Sequence, residues 1–175
     1  MQDQTKPSEN RATKLGLGCV QFGLPYGAFN KHGQVTFDEA AMILNKGMEA
    51  GIDLLDTAHA YGESETVLGK LGAAGGFDIV TKCPPLEGTD DPATALTEFA
   101  AQSQDHLNCE QLYGYILHRH EDLLRSGGDA VWESLNRLKA EKKALKIGVS
   151  VYTPDELLNT LERFPIDLVQ LPANA

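Results

Sequence analysis

The sequence lacks an excess of positive charge: 15 lysines and arginines stand against 25 aspartates and glutamates, a formal net charge of −10. Without a basic stripe there is nothing to neutralise a phosphate backbone. This excludes nucleic acid as an expected partner and disfavours an anionic membrane surface. No apolar run approaches the roughly 20 residues that span a bilayer, and residues 1–13 are polar, without the apolar stretch of a signal peptide. The expectation is a cytoplasmic protein with a flexible lead-in over 1–13 and one domain over 14–175. Cysteine is scarce. Cys19, Cys83 and Cys109 are odd in number and widely spaced, which supports neither a disulfide framework nor a metal site. Cys19 and Cys83 lie in apolar stretches and are expected as small buried hydrophobes. The dinucleotide fingerprint G-x-G-x-x-G is missing too, because Gln21 stands where a third glycine would follow Gly16 and Gly18. Internal repeats, low-complexity segments and interior linkers are likewise absent.

What is present is an alternation. Short runs rich in Val, Ile and Leu over 15–22, 52–57, 77–82, 112–118, 145–151 and 166–171 predict six strands. Most are apolar at nearly every position, as strands covered on both faces are. Between them lie five segments of helical period. Thr36 and Glu39 form a capping box before Ala40, Ile43, Leu44, Gly47 and Met48, with Gly51 at the C-terminal cap. Thr153, Pro154 and Glu156 repeat that start before Leu157, Leu158, Leu161 and Phe164. Ser64 is placed to cap a helix with Leu68 and Leu71, Pro92 opens one with Leu96, Phe99 and Ala100, and Val131, Leu135 and Leu138 mark another. Strict alternation of this kind fits a doubly wound open sheet or a (β/α)8 barrel.

In a barrel the chemistry gathers at the carboxyl ends of strands. Here those ends carry Asp56 with Tyr61 in the following loop, then Lys82, His118, Ser150, and finally Gln170 with Asn174. Taken singly, Asp56, Tyr61, Lys82 and His118 read as a turn aspartate, a rim aromatic, a solvated lysine and a satisfied core histidine. Their joint order argues otherwise. The run Asp56-Thr57-Ala58-His59-Ala60-Tyr61-Gly62-Glu63-Ser64-Glu65 resembles the D-T-A-x-x-Y-G-x-S-E signature of the aldo-keto reductases. Gly16-Leu17-Gly18 with Gln21-Phe22-Gly23, Ile79-Val80-Thr81-Lys82, Leu117-His118 and Ile147-Gly148-Val149-Ser150 resemble further strands of that family in the same order. The resemblance runs from about residue 15 to 174. It implies a (β/α)8 TIM-barrel fold, of which this chain holds about six βα units.

The resemblance also implies an activity: reversible reduction of an aldehyde or ketone by a nicotinamide hydride. The cofactor would be NADPH, or NADH, with neither metal nor flavin. Tyr61 resembles the general acid, Lys82 the cation that lowers its pKa, Asp56 the carboxylate that aims Lys82, and His118 the group that orients the substrate oxygen. Ser150 and Gln170 fall at positions that hold the nicotinamide carboxamide, and Asn174 is a further cofactor-binding candidate. His59, Arg119, His120 and Asp122 fall near the mouth as loop or substrate contacts, whereas His32 and His106 are expected in solvent.

Three departures from the family pattern stand out. Val151 follows Ser150 where relatives often carry asparagine. Lys142 stands where many have a helix-closing glycine; a left-handed lysine costs about 1 kcal/mol, and a looser helix end would avoid it. The chain also ends as its sixth strand ends, whereas a complete barrel takes about 250 residues. Six strands leave two open edges, which predict weak cofactor binding and self-association. The competing readings are a non-catalytic regulatory subunit of the same fold and an inactive truncated fragment.

Overall fold

The computed structural model describes residues 15–173. The lead-in expected over 1–13 and the candidate Asn174 lie outside the described residues. Within them the chain runs β1 (Gly16–Gly18), α1 (Val20–Gly23), α2 (Phe37–Glu49), β2 (Leu54–Asp56), α3 (Ser64–Lys70), β3 (Asp78–Cys83), α4 (Pro92–Leu107), β4 (Leu112–Leu117), α5 (Glu121–Leu124), α6 (Gly128–Ala140), β5 (Ala144–Ser150), α7 (Pro154–Leu161) and β6 (Leu168–Gln170). The six strands form one sheet in the order β1-β2-β3-β4-β5-β6, every neighbouring pair parallel. This is a curled half-barrel with helices outside, part of a (β/α)8 barrel.

Period-two alternation divides the strands into two faces. Leu55, Ile79, Cys83, Tyr115, Leu117, Ile147 and Val149 turn outward into the core shared with the helices, where they meet Leu44, Leu68, Leu96, Leu135 and Phe164. The alternate residues turn inward. Register aligns Asp56 with Val80, Lys82 with Ile116, Ile116 with Gly148, and Ser150 with Gln170, so the polar strand ends share the concave face. The expected burial of Cys19 and Cys83 is observed, and burial raises both thiols to a pKa of about 12.

Both capping boxes form with both of their hydrogen bonds, at Thr36 with Glu39 and at Thr153 with Glu156. Asp91 caps α4 by accepting from the Ala93 and Thr94 amides, ahead of Pro92 at the first turn. Gly51 takes a left-handed φ of 79° just past α2, and the Ile52 amide reaches back to the Gly47 carbonyl.

Several expectations need correction. The first strand is Gly16–Gly18 rather than 15–22; Val20 and Phe22 belong to the short helix α1, and Phe22 is apolar because it is buried, not because it is in a strand. β2 and β6 are also shorter than expected, and the short helices α1 and α5 were not foreseen. Ser64 does not cap α3. Its hydroxyl instead donates to the Cys19 carbonyl at 2.8 Å and lies 2.9 Å from the Thr57 hydroxyl. Nor does the end of α6 loosen around Lys142. Lys142 adopts φ 59° while the Lys143 amide donates to the Leu138 carbonyl, so the chain accepts a left-handed lysine to complete the cap.

Candidate active site

The backbone ladder carries past each strand end and fixes where the side chains start. The Cys19 amide donates to the Asp56 carbonyl, Thr57 to Val80, His59 to Lys82, His118 to Cys83, and Val151 to Gln170. The loop after β2 is held against α1. A Cβ on Gly23 would stand 1.8 Å from the Tyr61 carbonyl oxygen and 2.4 Å from the Ser64 amide, so only glycine lets the two segments meet.

On this frame the expected residues come together. Lys82 is 2% exposed, and its Nζ donates to Asp56 Oδ1 at 2.6 Å and to the Thr57 carbonyl at 2.8 Å. The ammonium sits 5.0 Å from the centre of the Tyr61 ring. Tyr61 and His118 lie edge to face, 5.9 Å between ring centres at 82°. Gln170 closes the group from β6: its Nε2 donates to Asp56 Oδ2 at 3.2 Å, tying the sixth strand to the second across the concave face. His118 and Ser150 line a cavity of about 570 Å³ with Ala60, Pro85, Arg119, His120, Glu121 and Tyr152. A larger hollow of about 1060 Å³ lies between the 27–36 loop and α2 and holds none of the expected catalytic residues. The candidate site is thus marked by its chemistry rather than by cavity size.

The electrostatics correct one expectation. Lys82 was expected to draw the Tyr61 pKa down, yet the phenol is pushed up to about 12, by burial first and then by the Asp56 charge. Burial outweighs the nearby cation, and the Asp56 carboxylate adds to it. Burial lowers the Lys82 pKa, against the pull of Asp56. Burial, then Lys82, also lowers that of His118, which favours a neutral imidazole.

The polar residues around the mouth sort themselves. Asp122 is buried and accepts from the Leu86 amide at 3.1 Å while pairing with Arg125, a loop-building role. His120 pairs with Glu121, and Arg119 with Glu87. His59 turns away from the mouth and packs edge-on against Phe99. His106 is not simply solvated as expected; its Nδ1 lies 3.3 Å from the buried Glu65 carboxylate. Sequence reasoning also missed the support from Thr57, whose backbone carbonyl helps fix Lys82 and whose side chain meets Ser64. The signal lay inside the 56–65 run, where Ser64 reads as a cap residue and Thr57 carries no reading of its own.

A nicotinamide carboxamide needs both an acceptor and a donor. Gln170 Oε1 is buried with no hydrogen-bond partner among the described residues, and Ser150 presents a hydroxyl at the end of the neighbouring strand. That donor set fits the group.

A parallel (β/α) barrel sheet with titratable groups at its carboxyl mouth is the architecture of barrel enzymes. The model of the aldo/keto reductase family matches residues 14–175, and the chain belongs to that family. It is 30% identical over 145 residues to the oxidoreductase sirO of Leptosphaeria maculans, a match covering 81% of this chain and 43% of that protein. It is 28% identical over 163 residues to the aldo-keto reductase Rv2971 of Mycobacterium tuberculosis, covering 90% and 51%. A solved structure from Pseudomonas aeruginosa named as an aldo-keto reductase superposes with a TM-score of 0.75 at 30% identity, covering 89% of this chain and 61% of that one. An aldo/keto reductase from Klebsiella pneumoniae, solved in complex with NADP and acetate, shares the fold at a TM-score of 0.65 and 24% identity, covering 85% and 49%. The chain thus spans about half the length of the curated relatives it matches.

Proposed function

We propose that this chain carries the catalytic half of a nicotinamide-dependent carbonyl reductase, acting on an aldehyde or ketone and reversible as alcohol oxidation. The convergence of Asp56, Tyr61, Lys82 and His118 on one face supports the reading. The Klebsiella relative's complex with NADP favours a nicotinamide cofactor, here NADPH or NADH. Bound NADPH would supply the hydride; Gln170 through its free carbonyl oxygen and Ser150 through its hydroxyl would hold the carboxamide.

Tyr61 then acts as the proton donor. With a pKa of about 12 it stays protonated at neutral pH, so it donates only when the substrate oxygen becomes strongly basic, that is, as negative charge develops there. Lys82 stabilises the tyrosinate left behind, and Asp56 keeps the ammonium charged in its buried position. Neutral His118 donates a hydrogen bond to the substrate oxygen, lining it up with Tyr61 without competing as an acid. Edges at β1 and β6 among the described residues favour self-association or closure by further strands.

The test is turnover of an aromatic aldehyde with NADPH by the chain and by a version lengthened with the closing strands of a relative. Tyr61→Phe should remove turnover while leaving cofactor binding. Cofactor binding without Tyr61-dependent turnover in either form would instead favour a regulatory subunit.

A further inference from the structure

Outside the candidate active site, a second group of polar side chains converges on one point. Glu65, in the first turn of α3, is 1% exposed, an extreme burial for a carboxylate. Its Oε1 accepts from the Thr81 hydroxyl at 2.6 Å. Its Oε2 faces two imidazoles, His106 Nδ1 at 3.3 Å and His59 Nδ1 at 3.6 Å, and the ligand atoms of the three residues lie within 4.8 Å of one another. His59 Nδ1 is buried without a hydrogen-bond partner among the described residues.

Because Thr81 and Lys82 are consecutive in β3, they point to opposite faces of the sheet. The cluster therefore lies in the helix layer, and Lys82 and Asp56 lie on the concave side. Close approach of α3 and α4 builds it: a Cβ on Gly69 would stand 2.0 Å from the His106 carbonyl oxygen, so glycine brings the end of α4 over Glu65.

We propose that His59, Glu65 and His106 form a binding site for a divalent transition metal of the zinc class. Two imidazole nitrogens and one carboxylate oxygen suit zinc, whereas magnesium and calcium take all-oxygen sets. In a tetrahedral site with ligands about 2.0–2.1 Å from the ion, neighbouring ligands stand about 3.3 Å apart. The two imidazole-to-carboxylate separations, 3.3 and 3.6 Å, sit close to that edge. Thr81 is the outer partner that holds Oε1 and turns the carboxylate, so that Oε2 faces the two imidazoles where the ion would sit. His106, with 47% of its side chain exposed, gives access from solvent and leaves the fourth position to water. An occupied site would tie the loop that carries His59 and Tyr61 to the end of α4.

The experiment is titration of the metal-free, untagged chain with Zn²⁺ against a chromophoric chelator, and with Co²⁺ followed by its visible absorption. One equivalent of zinc and an intense, tetrahedral-type cobalt spectrum are expected. His106→Gln changes a half-exposed residue and should leave the circular dichroism intact while weakening zinc at least about tenfold; Thr81→Val, which touches no ligand atom of the ion, should weaken it by a similar factor. The proposal is overturned by zinc binding of unchanged affinity in His106→Gln, by a weak octahedral-type cobalt spectrum, or by no stoichiometric binding.

Discussion

Lys82 donates to Asp56 at 2.6 Å, with the lysine 2% and the aspartate 27% exposed on their side chains. The two are held by adjacent strands, one ending a residue before the loop that carries Tyr61 begins. A charge this deep is tolerated only while its partner and the Thr57 carbonyl satisfy it. Asp56→Asn should therefore destabilise the fold by about 3 kcal/mol, at the low end of the range for a broken buried pair because Asp56 is partly solvated. Asp56→Asn with Lys82→Met should cost less than Asp56→Asn alone, as urea unfolding of the single and double variants would measure.

Histidine sets the pH response in the weakly acidic range. Burial holds His118 below the ordinary histidine pKa, with Lys82 adding to it, and burial does the same for His59 against the pull of Glu65. Below about pH 6.5 the unfolded chain takes up protons that the folded chain refuses. Stability should be full above that value and decline as pH falls toward the depressed folded pKa. The urea midpoint should drop between about pH 7 and about pH 5, and His118→Asn should flatten the slope.

Gly23 is an interlock between α1 and the Tyr61 loop. Gly23→Ala should cost about 2 kcal/mol through overpacking, because the clash is with backbone that cannot rotate away. Gly18→Ala is the control, since a Cβ there meets nothing within 4 Å. Thermal melts of the two variants should separate clearly, and only the first should lower turnover.

Lys142 offers a gain. Its left-handed φ of 59° disfavours a side chain by about 1 kcal/mol, part of which glycine returns through its freer unfolded chain. Lys142→Gly should stabilise by about 0.5 kcal/mol, read as a higher denaturant midpoint with unchanged slope.

Much of this was legible in the residues. The two capping boxes, the Gly51 cap and the alternation of strands and helices follow from local chemistry and were found where the pattern placed them. Asp56, Tyr61, Lys82 and His118 could be gathered because parallel register carries strand ends to one mouth. What escaped depends on distance in sequence. Phe22 reads as strand because period alone does not separate a short apolar strand from a buried helical turn. His106 reads as solvated because Glu65, its partner, stands 41 residues earlier and meets it only through the packing of α3 on α4. The high pKa of Tyr61 reflects burial and the nearness of Asp56, which a list of residue types does not contain.

The most direct test of the central claim is the loss of NADPH absorbance with an aromatic aldehyde, comparing unaltered Tyr61 with Tyr61→Phe in the chain lengthened by closing strands. The account predicts turnover that Tyr61→Phe reduces by at least about a hundredfold, the usual scale of a general acid, with cofactor affinity unchanged. Equal turnover by the two proteins would contradict it.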